Sequence, residues 1–188
     1  MLILTKSIFA MMIGFILSSI IGLILIPYLK RLKAGQRISI YVGDTHHKKA
    51  GTPTMGGLLF ILSTLITVFV LYAFDKIEVT DNLLIVLTTF LGYAIIGFLD
   101  DYLSIKRKHN DGLTEIQKLF GQFIIALVFF YLFRLGGSEP LLWIHTLNIK
   151  VNLGWMYGIF ILLMLVGMSN AVNITDGLDG LAGGLSAI

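Results

Sequence analysis

The chain has 188 residues, 56% of them hydrophobic and only 13% charged, with a formal net charge of +3 and a mean hydropathy of +0.89. Soluble domains average about 45–50% apolar and about 25% charged residues, so this composition excludes an ordinary soluble domain and points to an integral membrane protein. There is no cysteine, which excludes a disulfide framework and a thiolate metal site.

In chain order, apolar runs lie at about 8–29, 56–74, 82–100, 119–135 and 153–169, and another opens near Leu178. A helix needs ~20 apolar residues to span a bilayer. The first run exceeds the ~7–15 residues of a signal-peptide core, so it reads as a retained helix. Pro27 falls near its end, and the short fourth run carries Gln122 inside it. Barrel strands would instead alternate over ~10 residues. The expected fold is an all-α integral membrane protein, a polytopic helical bundle forming a single membrane domain over 1–188. It has five transmembrane helices plus the start of a sixth. From Leu178 to Ile188 a helix would extend only ~16 Å, about half of a ~30 Å hydrocarbon core. The expectation is therefore the N-terminal part of a larger protein, interrupted within its sixth span.

Lysine and arginine set the orientation. Loop 30–55 carries Lys30, Arg31, Lys33, Arg37, Lys48 and Lys49, and loop 101–118 carries Lys106, Arg107, Lys108 and Lys118. The opposite side has Lys6, Lys76, Arg134 and Lys150. Positive charge concentrates in cytoplasmic loops, so the N-terminus is expected outside and both basic loops in the cytoplasm. Five crossings then bring the stretch 170–177 to the cytoplasmic face as well. The outer connections, Asp75–Asp81 and Gly136–Leu153, look inert by comparison, with Trp143 and Trp155 as interface anchors.

Three polar stretches could carry chemistry on that face. The first loop ends His46-His-Lys-Lys49-Ala-Gly-Thr-Pro-Thr54-Met-Gly-Gly57. Lysine charge and backbone N–H groups at a helix start could hold phosphate; the plainer reading is a basic segment touching anionic lipid. His46 and His47 lack metal-ligand spacing. The second stretch is Asp100-Asp101, closing the third run. Adjacent helical residues point about 100° apart and do not face each other, which favours two different roles over a symmetric clamp. The plainer reading is a solvated pair, yet a helix C-terminus is unfavourable for two negative charges, so a cation should compensate: Lys106, Arg107, Lys108 or Mg²⁺. Downstream, Gly112 precedes a helix start at Thr114, and Lys118 shares a face with Gln122. Lys118 alone reads most simply as an interfacial lysine.

The third stretch, Asn170-Ala-Val-Asn173-Ile-Thr-Asp176-Gly-Leu-Asp179-Gly180, places amides and carboxylates at three-residue steps. Ionisable groups at membrane depth are costly and tend to be functional. Asn170 and Asn173 are expected to close the fifth helix, Asp176 to cap the sixth and Asp179 to sit in its first turn. A bare N-cap would account for Asp176 but for neither Asn173 nor Asp179. Carboxylates, amides and lysines without a thiol suit Mg²⁺-assisted transfer of a phosphorylated group, and an acceptor held in the bilayer would explain a site built on membrane helices.

In order and spacing, Lys48–Gly57, Gly97-Phe-Leu-Asp-Asp101-Tyr with Lys118, and Asn170–Ala182 together resemble the polyprenyl-phosphate N-acetylhexosamine-1-phosphate transferase superfamily. The first motif is more similar to the MraY, or phospho-N-acetylmuramoyl-pentapeptide transferase, family than to the GlcNAc-transferring WecA and TagO relatives. The resemblance implies a magnesium-dependent reaction at the bacterial cell membrane. Phospho-MurNAc-pentapeptide would pass from UDP-MurNAc-pentapeptide to undecaprenyl phosphate, giving lipid I and UMP for peptidoglycan. It implies catalytic roles for Asp100, Asp101, Asp176 and Asp179, with Asp100 deprotonating the lipid phosphate or assisting the metal. Asn173 and Asp100 would contact Mg²⁺. Lys49, Thr54, Lys118, Asn170, Gly177, Leu178 and Asp179 would bind substrate, the last three on the uridine side. Direct attack by the lipid phosphate and a covalent enzyme intermediate both remain open. Membrane lipid and a second copy of the chain are compatible partners, and nucleic acid is not expected. The family's later half supplies another metal-binding aspartate and a histidine-rich motif that this sequence lacks, so these 188 residues alone are expected to be inactive. The competing readings are a transporter, which would place carboxylates at mid-membrane, and a non-catalytic membrane fragment.

Overall fold

A computed structural model describes residues 3–31, 54–107 and 112–175. In order they form α1 (Ile3–Arg31), α2 (Gly57–Ala73), α3 (Asp81–Arg107), α4 (Glu115–Leu135), β1 (Leu141–Ile144), β2 (Ile149–Asn152) and α5 (Met156–Thr175). Each of the first five apolar runs has become a helix. The expected sixth helix from Leu178 and most of loop 30–55 lie outside the described residues.

Four helices, α1 from Leu4 on, α3, α4 and α5, are long and apolar enough to cross a membrane. With 17 residues, α2 spans ~26 Å and sits at the short end of the ~17–25 residues that can cross. The side chains fit this setting, since Phe15, Leu23 and Ile174 are 75%, 79% and 80% exposed. So much apolar surface marks a membrane or partner contact rather than a face for water.

The described chain forms two compact units. One holds α1, α2, α3 outside Leu84–Thr89, and the residues after α3 as far as Thr114; the other holds Leu84–Thr89, α4, the hairpin and α5. In lipid, helices gain little from apolar burial against each other and associate through small residues and polar contacts. The first unit does so along α1 and α2. A Cβ at Gly14 would lie 3.6 Å from Thr67 Oγ1, and one at Gly22 would lie 3.2 Å from Leu59 Cδ1. Ser63 and Thr67 are buried on α2. Their hydroxyls donate to the carbonyls of Phe60 at 3.1 Å and Ser63 at 2.7 Å, so neither is left unsatisfied. In the second unit the ring of Phe130 comes within 3.1 Å of where a Gly158 Cβ would stand, and Phe133 stacks on Tyr157 at 5.2 Å.

The helix ends follow local chemistry. Thr80 Oγ1 accepts the Leu83 N–H at 3.3 Å and caps α3. At the end of α4, Gly137 takes φ +71 while Gly137 N–H donates to Arg134 C=O and Ser138 N–H to Phe133 C=O. This is the left-handed Schellman stop. The same pair of bonds ends α2, from Asp75 to Tyr72 and from Lys76 to Leu71, here with Asp75 at φ +53.

Three details differ from the sequence-based expectation. The third helix does not end at Asp101 but continues to Arg107. Tyr102–Arg107 contains no helix breaker, and Lys106 and Arg107 occupy the last turn, where cations complement the carbonyl end of the helix. The fifth helix also continues past Asn173, to Thr175. The outer connection, expected to be inert, holds an antiparallel hairpin with Leu141 opposite Asn152 and Trp143 opposite Lys150. Its Lys150 ammonium lies 4.7 Å from the Trp143 ring centre, a cation–π contact across the strands.

Candidate active site

The helix extension changes the setting of the aspartate pair. Asp100 and Asp101 sit about two turns before the end of α3, and Arg107, seven residues after Asp100, returns to the Asp100 face. Both carboxyl residues are half-buried. As the helical step requires, they diverge, and each meets a different connecting segment of the same unit.

Asp101 Oδ2 accepts the backbone N–H of Met55 at 2.8 Å. Met55 lies in the turn that opens α2, where its own carbonyl accepts the Leu58 N–H at 3.1 Å. Its φ is +66, a left-handed conformation that a side chain such as methionine rarely adopts. Such backbone strain persists only where the surroundings hold it, and the bond to Asp101 is one such restraint. Thr54, a sequence-predicted substrate contact, is the preceding residue and is half-buried.

Asp100 Oδ1 accepts the backbone N–H of Leu113 at 2.7 Å. One residue earlier, Gly112 is buried, and its carbonyl accepts from Arg107 Nη1 at 3.0 Å. A carboxylate that accepts a backbone N–H group is held in a fixed orientation. Of the cations expected to compensate the pair, Arg107 donates to the Gly112 carbonyl next to the Leu113 N–H.

The second unit contains the remaining described candidates. Lys118, half-buried, stands in the first turn of α4, one turn before Gln122. Gln122, which seemed a blemish in a short apolar run, is 6% exposed. Its Nε2 donates to Ser169 Oγ at 3.3 Å, and its Oε1 accepts from Asn170 Nδ2 at 2.9 Å. Asn170 Nδ2 also donates to the Val166 carbonyl at 2.8 Å. The nitrogen of Asn170 is therefore committed to holding α5 against α4, which leaves Oδ1 as the atom with which it could meet a ligand. Asn173, one turn further along α5, is exposed. Lys49, Asp176, Gly177, Leu178 and Asp179 lie outside the described residues.

Among the described residues no group of three or more His, Asp or Glu could hold a metal ion. Magnesium does not require one, since it is usually held by one or two carboxylates, waters and substrate phosphates. The oxygen donors of Asp100 and Asn173, the two expected metal contacts, are of the right type.

Sequence reasoning missed Met55, Gly112, Leu113 and the pairing role of Gln122. The first three act through the backbone, which leaves no residue-type signature. For Gly112 the signal was a glycine just after a charged run; for Gln122 it was a lone amide within an apolar helix.

The long apolar helices define a multi-pass membrane protein, with one polar group at Asp100-Asp101 in the first unit and another at Gln122-Asn170 in the second. The glycosyl transferase family 4 profile matches residues 83–188, more than half of the chain, and the chain belongs to that family. The phospho-N-acetylmuramoyl-pentapeptide-transferase signature 1 matches residues 49–61. Among similar proteins, the phospho-N-acetylmuramoyl-pentapeptide-transferase of Bacillus subtilis is 46% identical over 96% of this chain and 55% of its own length. That of Bacillus licheniformis is 44% identical with the same coverage, and that of Oceanobacillus iheyensis is 40% identical over 98% of this chain and 57% of its own. The chain thus spans about half the length of these curated relatives.

Proposed function

We propose that this chain serves the transfer of phospho-MurNAc-pentapeptide from UDP-MurNAc-pentapeptide to undecaprenyl phosphate, forming lipid I and UMP. The observation that carries the reading is the bond from Met55 to Asp101. Met55 lies within the matched signature and Asp101 within the matched family region, so one 2.8 Å hydrogen bond ties the two together.

In this reading Asp100 takes the proton of the lipid phosphate, or holds that phosphate's counter-ion, while Asp101 fixes the signature turn beside it. A general base of this kind contributes about 10²–10⁴-fold. Thr54 and Lys118 contact phosphate and sugar oxygens, with Lys49, Gly177, Leu178 and Asp179 completing the substrate contacts and Asp176 the catalytic set. Asn170 presents its Oδ1. Asp100 and Asn173 would hold Mg²⁺, which when bound neutralises charge building up on the pyrophosphate. The basic loops face the cytoplasm of a bacterial cell, where the nucleotide donor is made, and the apolar helix surfaces meet the lipid that carries the acceptor.

The test is donor choice. Membranes containing a full-length transferase that carries this chain are supplied with undecaprenyl phosphate, Mg²⁺ and either UDP-MurNAc-pentapeptide or UDP-GlcNAc, and UMP and lipid product are measured. The proposal expects product from the first donor only. Product from UDP-GlcNAc alone would move the protein to the GlcNAc-transferring branch, and UMP release without lipid product would remove the acceptor assignment.

A further inference from the structure

We propose that Gly112 is a positioning residue for Asp100, acting through a clasp that the segment after α3 closes on the carboxylate. This rests on the reading of Asp100 as a catalytic group and adds what sets its orientation.

The clasp has three parts. The Leu113 N–H donates to Asp100 Oδ1 at 2.7 Å. Arg107, two turns after Asp100 and on its face, donates from Nη1 to the Gly112 carbonyl at 3.0 Å. Between these bonds the Gly112 backbone is pressed against Asp100. A Cβ at position 112 would collide with Asp100 Oδ1, and would stand 2.5 Å from its carbonyl oxygen and 2.9 Å from Cγ. Real Cβ atoms essentially never show contacts below 3.0 Å, and here part of what they would meet is backbone, which cannot swing away.

The requirement for glycine comes from this close approach. Position 112 thus reads the place of the Asp100 carboxylate directly. A methyl group there must move either the carboxylate or the peptide that donates to it. Because α3 fixes the backbone of Asp100, the side chain or the 112–113 peptide gives way, and the bond at Leu113 is lost in either case. Arg107 supports the arrangement more weakly, since it is exposed and bonds to the Gly112 carbonyl.

The experiment uses a full-length transferase that carries this chain, in its membrane or in mild detergent, and compares wild type, Gly112→Ala, Asp100→Asn and the double variant. Transfer from UDP-MurNAc-pentapeptide is measured alongside thermal stability. A misplacement of the reacting group by about 1 Å can cost about 10²-fold. The expected result for Gly112→Ala is therefore a kcat lower by about that factor, with KM for the nucleotide donor little changed. Against Asp100→Asn the same substitution should add almost no further loss, because its effect passes through the carboxylate. Two results would overturn the clasp: a Gly112→Ala protein with wild-type kcat, or the same fold-loss in both backgrounds. If Asp100→Asn itself transfers normally, the reading of Asp100 fails first.

Should Gly112→Ala not accumulate, amide exchange over residues 112–114 decides between wild type and Asp100→Ala. Faster exchange at Leu113 in the variant supports the clasp, and unchanged protection overturns it.

Discussion

The two units of the chain handle buried polarity in opposite ways. Around α3, charged carboxylates accept hydrogen bonds from backbone N–H groups of connecting segments, Met55 to Asp101 and Leu113 to Asp100. Between α4 and α5, neutral amides bond to each other, Gln122 with Asn170 and Ser169. The difference follows from cost. An ionised carboxylate is expensive to desolvate, so it is retained near helix ends where loops can bring donors to it. A carboxamide is cheaper to bury once paired and can sit within a helix pair as polar glue. The first arrangement fixes two carboxylates, and the second fixes a helix interface.

This contrast makes the two regions separable by measurement in a full-length transferase that carries this chain. The largest effect is expected at Met55, where the bond to Asp101 comes from the backbone. Met55→Pro removes the donor and forbids a positive φ, so transfer should fall about 10²-fold. Met55→Gly keeps the N–H and relieves the left-handed strain, and should transfer within about threefold of wild type, since 0.65 kcal/mol is roughly that factor. Equal losses in the two variants would show that the methionine side chain matters, not the bond.

On the amide side, effects should appear in stability and not in turnover. Gln122→Leu leaves the Asn170 and Ser169 groups without their partner and should destabilise the protein by about 1–3 kcal/mol, read as a lower unfolding temperature in detergent. Transfer per folded molecule should stay near wild type, and a turnover loss beyond the folded fraction would bring Gln122 into the reaction. The smallest effect is expected for Asn170→Ala, about 0.6–1.7 kcal/mol by analogy with other membrane helix pairs. If that variant also raises KM for the nucleotide donor, its Oδ1 serves substrate as proposed; an unchanged KM would confine Asn170 to the helix pair.

Hydropathy made the five helices legible, because it records which segments prefer lipid. It could not show that α3 continues to Arg107, because leaving the apolar layer and ending a helix are different events. Asp100-Asp101 and the Asn170–Asp179 stretch stood out as carboxylates and amides beside apolar runs. Their donors did not, since the Met55 and Leu113 N–H groups are common to every residue but proline. The Gly112 contact depends on where a segment twelve residues away returns, and only coordinates show that. The hairpin at Leu141–Asn152 was missed because four-residue strands give too few alternations to separate from a loop.

The most direct test of the account is single-turnover transfer from UDP-MurNAc-pentapeptide to undecaprenyl phosphate by Asp100→Asn in a full-length transferase that carries this chain, paired with its thermal stability and nucleotide-donor binding. The substitution keeps an oxygen that can accept the Leu113 N–H but removes the charge and the basicity. The account predicts wild-type folding and donor binding, with transfer slowed about 10²–10⁴-fold. Transfer at the wild-type rate by a stably folded Asp100→Asn protein would contradict it.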